Sequence, residues 1–173
     1  YFEAKEIFYK SLSKNTLPCA YGLSIIYERD DNPFYHLDSA YKYICLADSS
    51  YFKAEEKELE KWKQLSIDSM AIQNLKDSID RKAWLNIKDA KEASIFQSYL
   101  DQFTDSDYRP QATSRRNRIL FAQAKYQNSS KAYQEFFLNY PDAAEVMEAK
   151  NRYQERLYME QTEGGRVEDY KRF

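Results

Sequence analysis

The chain has 173 residues, with 26 basic and 28 acidic side chains, a formal net charge of -2 and a pI near 5.6. That balance disfavours a dedicated nucleic-acid surface, which is usually strongly basic. Three glycines and four prolines are few, and no apolar run approaches the ~18 residues of a membrane span, so the composition predicts long helices with short connections and no transmembrane segment.

In chain order, Phe2, Ile7 and Phe8 open an amphipathic stretch that breaks near Asn15-Thr16-Leu17-Pro18. Asn15 or Thr16 is placed to cap the next helix, with Pro18 tolerated in its first turn. Cys19, Gly22, Leu23 and Ile26 then form an apolar stripe, and Asp30-Asp31-Asn32-Pro33 is a turn signal. Leu37, Ala40, Tyr41, Ile44 and Ala47 make the second stripe, and Asp48-Ser49-Ser50 ends it or caps its successor. Residues 51–67 are the most charged segment. Their Glu and Lys interleave at three- and four-residue spacings, so Lys53, Lys57 and Lys61 read as a solvated face, with Trp62 and Leu65 on the buried side. Residues 69–87 form the next helix.

One pattern is then written twice. Phe96, Tyr99, Leu100, Phe103, Asp105-Ser106, Ala112, Arg115, Leu120 and Phe121 recur about 37 residues later, inside the window of helical repeats. The second copy reads Tyr133, Phe136, Phe137, Tyr140, Asp142-Ala143, Ala149, Arg152, Leu157 and Tyr158. A weaker third copy precedes them: Leu59, Trp62, Asp68-Ser69, Leu75, Ala83 and Trp84. The first block of each unit spaces apolar residues as one helical stripe. The Asp that follows suits a helix start, so Asp68, Asp105 and Asp142 are expected at or beside N-termini. The small Ala of the second helix permits close approach, and the late aromatic fills the gap to the next unit. Trp62, Tyr99 and Phe136 are expected to occupy equivalent buried positions.

The block Phe96-x-x-Tyr99-Leu100-x-x-Phe103 followed by Ala112 resembles the tetratricopeptide (TPR) pattern, as does Tyr133, Phe136, Phe137, Tyr140 and Ala149. Leu100 and Phe137 replace the usual small residue, and the unit exceeds the usual ~34 residues. The segment from Tyr133 to Ala149, with Tyr140-Pro141-Asp142, is also similar to TPR-like repeats of bacterial outer-membrane-assembly lipoproteins. The resemblance implies an all-α fold of stacked antiparallel helical hairpins, a TPR-like α-solenoid with a right-handed superhelix. Residues 1–50 would supply N-terminal TPR-like helices. Residues 51–173 would form an array of 37-residue period, truncated in its last repeat and continuous with the first part. Since it starts at Tyr1 and stops inside a repeat, the chain reads as a fragment of a longer protein. Val167, Tyr170 and Phe173 are expected to rest on the 143–160 helix.

The chemical inventory is sparse. His36 is the only histidine, and beside a turn it reads as a turn or packing residue. No second histidine or paired cysteine completes a zinc set, and no Ser-His-Asp motif is visible. Gly164-Gly165 lacks the residues of a phosphate loop and reads as a helix-ending turn. No cofactor, metal or catalytic residue is therefore assigned. Arg115, Arg116 and Arg118 could grip an acidic partner, but the recurrence of Arg115 as Arg152 points to a recurring structural partner such as Asp105 or Asp142.

These readings point to a non-enzymatic protein-interaction or scaffold module; the resemblance to the lipoprotein repeats implies part of a larger bacterial cell-envelope protein, periplasmic or associated with the outer membrane. The alternatives are a structural spacer without a groove ligand, or a regulatory segment of an enzyme lying outside the chain. In TPR families the first helix of each hairpin lines the concave face, which implicates Gln97, Asp101, Gln134 and Leu138 in binding a protein or peptide. Cys19 and Cys45 flank the turn at similar heights, as two buried free thiols or as a bridge in an oxidising compartment.

Overall fold

The computed structural model describes residues 1–163, and the described residues are all-helical, without a strand. The elements are α1 (Phe2–Ser11), α2 (Thr16–Glu28), α3 (Leu37–Tyr51), α4 (Glu56–Gln64), α5 (Ser69–Ile87), α6 (Ala93–Gln102), α7 (Arg109–Gln127), α8 (Ser130–Asn139) and α9 (Val146–Thr162). No helix among them is long and apolar enough to cross a membrane. The expectations for Gly164-Gly165, Val167, Tyr170 and Phe173 lie outside the described residues.

The chain divides into two compact units. One is Tyr1–Asp89 with Asp101–Arg109; the other is Ala90–Leu100 with Pro110–Phe173. In the first unit α2 and α3 pack together, and α3 also packs on α5, so contacts run across residue 50. Both predicted stripes, Cys19–Gly22–Leu23–Ile26 and Leu37–Ala40–Tyr41–Ile44–Ala47, are buried. Helix α1 sits on α2 through Phe8. A Cβ at Gly22 would lie 2.5 Å from the Phe8 ring, so only glycine permits this approach. Asn32 builds the α2–α3 turn. Its amide nitrogen donates to the Ile26 and Arg29 carbonyls (2.9 and 2.8 Å), while its oxygen accepts from Phe34 N–H at 2.8 Å. Beside it, the Arg29 guanidinium holds the Asp31 carboxyl down to about 2.

Local signals fix several helix starts. Asp68 caps α5, accepting from Ala71 N–H at 2.8 Å; Ser129 caps α8, accepting from Ala132 N–H at 3.2 Å. His36 caps α3 through Nδ1, which accepts from Ser39 N–H at 3.2 Å. Asn15 precedes α2 without a side-chain cap bond. Asp105 and Asp142 each stand four residues before a helix, in the turn rather than at the cap.

The 37-residue spacing recurs in several helix starts. Helices α4, α6 and α8 start at Glu56, Ala93 and Ser130, 37 residues apart each time, and α7 and α9 start at the same spacing. The intervening turns share two backbone bonds. Ser106 N–H donates to Phe103 C=O and Arg109 N–H to Ser106 C=O, as Ala143 does to Tyr140 and Val146 to Ala143. Tyr99 and Phe136 are buried, but Trp62 is only half-buried. Leu65 is not on a buried side: it is 63% exposed, and Ile67 is buried in its place. Helix α4 ends at Gln64, and the left-handed Ser66 (φ 58°) turns the chain so that Ile67 N–H reaches Trp62 C=O at 2.9 Å. The helical period that placed Leu65 inside no longer applies there.

Candidate functional site

Helices α7 and α8 each present one stripe to a shared groove. On α7 the spacing i, i+3, i+4, i+7 aligns Leu120, Gln123, Ala124 and Gln127. On α8 the same spacing aligns Ala132, Glu135, Phe136 and Asn139, and the C-cap Tyr140 follows them. These nine residues line a groove of about 200 Å³. Its floor is apolar and belongs to the core of the second unit, in which Phe121, Ala124, Ala132 and Phe136 are buried. The Phe136 ring lies 5.2 Å from Phe121 and 5.7 Å from Tyr140. Two alanines at the floor leave the space that larger residues would fill.

The walls are held by fixed contacts. Asn128 adopts a left-handed conformation (φ 48°) between the helices, and its side-chain oxygen accepts from the buried Tyr133 hydroxyl at 3.2 Å. Glu160 of α9 clasps the start of α8, accepting from Ser130 N–H at 2.9 Å and from the Ser130 hydroxyl. Those bonds hold the Glu160 carboxyl below the usual range. At the other end, the Arg116 guanidinium lies over the Tyr140 ring at 4.9 Å. It donates to Gln97 Oε1 at 2.6 Å and twice to Asn117 Oδ1, satisfying the oxygen of that buried amide.

The rim carries three neutral amides, Gln123, Gln127 and Asn139, and one carboxylate, Glu135, with Lys131 3.9 Å away. Amides donate and accept equally well, so paired amides above an apolar floor can bond a main chain whatever its sequence. The first unit has other clefts. One of about 240 Å³ lies between the start of α2 and α4, with mixed charges from Lys14, Lys53 and Glu58. Another, of about 50 Å³, is lined by Tyr41, Lys76 and four aspartates. Both set an aromatic, Trp62 or Tyr41, among several formal charges, whereas the α7–α8 groove has a single carboxylate among its amides.

The residues implicated from sequence lie elsewhere. Gln97 is taken up by Arg116. Asp101 is exposed at the end of α6. Gln134 and Leu138 are exposed one turn apart on α8, Leu138 by 65%, on the face away from the buried Tyr133 and Phe136. The groove uses their neighbours Glu135 and Asn139. Its α7 half was not anticipated, although an amide at 123 and another at 127, flanking Ala124, were legible as a polar stripe.

The recurring arginines do not share a partner. Arg152 pairs with Glu148 in its own helix at 2.8 Å rather than with Asp142. Arg115 has no ion pair or hydrogen bond among the described residues, because the equivalent of Glu148 is the neutral Gln111. Among the described residues no group of His, Cys and carboxylates is placed to hold a metal. Cys19 and Cys45 are free thiols. Burial pushes both up, and at Cys45 it outweighs the Lys76 ammonium and Tyr41 hydroxyl. That is the opposite of what a nucleophilic thiol needs. No protein-family model, curated protein or solved structure matches the chain.

Proposed function

We propose that the chain is a protein-interaction module of stacked, TPR-like antiparallel hairpins, in a right-handed superhelix, whose α7–α8 groove takes an extended peptide segment. The observation that carries this is the pairing of rim amides over an aromatic floor, with both helices tied by Asn128 and the Glu160 clasp. An extended peptide would lay one apolar side chain between Leu120 and Phe136 and bond its backbone to Gln127 and Asn139. The stacking part of the reading rests on the 37-residue recurrence of helix starts and turn bonds. A module of this kind suits a scaffold in a cell-envelope assembly, where affinity comes from surface and no chemistry is required.

The test is selection of a random displayed-peptide library on the immobilised chain, followed by fluorescence anisotropy of the selected peptides. The double variant Gln127→Ala/Asn139→Ala should weaken binding about tenfold, equivalent to ~1.4 kcal/mol, without changing the melting temperature. Gln134→Ala/Leu138→Ala should leave it unchanged. The reverse result would move the site to the outer face of α8, and a library yielding no binder would remove the interaction reading.

A further inference from the structure

Helix α7 carries five basic residues and no acidic one, in a chain whose 28 acidic residues outnumber its 26 basic ones. Two of the five are occupied inside the fold: Arg109 donates to Phe103 C=O, and Arg116 is bound to Gln97 and Asn117. The other three, Arg115, Arg118 and Lys125, are exposed. At 100° per residue they fall, with Ala122, within about 80° of one another. This stripe points away from the groove residues Gln123, Ala124 and Gln127.

The repeat supplies the control. Moving each position forward by the repeat length turns Gln111, Arg115, Arg118 and Lys125 into Glu148, Arg152, Glu155 and Thr162. The second copy therefore neutralises its arginine with an acid one turn away and places another acid beside it. The first copy has removed both acids. Arg115 and Arg118 have no ion-pair or hydrogen-bond partner among the described residues, while Lys125 lies 4.7 Å over the Phe121 ring. A structural partner for the arginine column is thus present in one copy and, among the described residues, not in the other.

We infer that this face of α7 docks an acidic polypeptide segment of a partner protein, through Arg115, Arg118 and Lys125. Two planar guanidinium forks three residues apart suit bidentate pairing with carboxylates on successive turns of a partner. The stripe spans only about 15 Å. A nucleic acid, with one charge per ~1.7 Å of duplex, would overrun it onto a chain of net charge -2. A short run of carboxylates would not. This surface is separate from the groove and stands without it.

The experiment measures binding of fluorescein-labelled poly-L-glutamate to the intact chain at low and high salt. Binding should weaken with salt, and Arg115→Glu/Arg118→Glu should reduce it about tenfold. Gln111→Glu, which restores the pairing acid of the second copy, should reduce it less. Circular dichroism melts check that both variants remain folded. Lys57→Glu/Lys61→Glu and Gln127→Ala/Asn139→Ala should bind as the parent does. Failure to bind polyglutamate, or equal binding by the Arg115/Arg118 variant, would overturn the inference. So would tighter binding to single-stranded oligothymidylate or to vesicles of anionic phospholipid.

Discussion

The helix pairs α6–α7 and α8–α9 have the same helix starts and the same turn bonds, yet their turns are used differently. In the first pair Phe103 is buried with its ring 4.4 Å from Tyr41 of α3. Asp105 N–H donates to the Tyr41 hydroxyl at 3.2 Å, and its carboxylate stands 3.5 Å from the Lys76 ammonium. Tyr108 stacks on Trp84, with centroids 5.6 Å apart. In the second pair Tyr140 is half-buried between Phe136 and Arg116, and Asp142 is exposed. The same backbone is bolted down in one copy and left at the surface in the other. A repeat therefore conserves the geometry of a turn, while its neighbours decide what the turn contributes.

The contrast can be broken most severely at its aromatic anchor. Phe103→Ala should cost about 3–5 kcal/mol, the usual loss for a fully buried phenylalanine. Tyr140→Ala in the matching column should cost about 1.5–3 kcal/mol. Urea unfolding measures both, and equal losses would mean that the two turns are equally buried. The aspartate column is the next test. Asp68→Ala removes a true cap and should cost ~0.5–2 kcal/mol, whereas Asp142→Ala should be neutral within error. A cost at Asp142 matching that at Asp68 would restore the idea of one capping column.

A smaller difference is expected from the arginines. Arg152→Ala loses an exposed pair spaced i, i+4 and should lower the urea midpoint only slightly, with Arg115→Ala leaving it unchanged. Acid gives the finest comparison. The Glu160 carboxyl is lowered by its bonds to Ser130, so its contribution is fully present above the ordinary carboxylate range and is lost as pH falls through the lowered value. The stability gap between the parent chain and Glu160→Gln should be constant near neutrality and close below about pH 4.5. Gln123 occupies the equivalent position in α7, so Gln123→Ala should show no such pH dependence. A gap that stays flat into acid would remove the clasp.

The sequence by itself determined the helices, because helix formation answers to local spacing and local caps. The apolar period placed Leu37, Ala40, Tyr41, Ile44 and Ala47 on one buried face, and it bounded α5 at Ser69 and Ile87. Asp68 was legible as a cap because its acceptor and the Ala71 N–H lie within one turn. The repeat length was also written in the chain, since identical turns need identical spacing. Leu65 marks the limit of that logic: a helix that stops one residue early carries its next apolar residue outside.

Only the tertiary structure decided where the surface is concave and which charges find a partner among the described residues. The groove exists because α7 and α8, read separately as amphipathic helices, bring Ala124 and Ala132 together beneath Gln123, Gln127, Glu135 and Asn139. No spacing within either helix encodes that distance. Gln97 read as a partner-binding residue until Arg116 claimed it, and Arg115 read as paired until Gln111 stood where an acid was needed. Local periodicity fixes which side of a helix faces inward. The partners of the remaining side chains depend on neighbours far away in sequence, and those are set by packing.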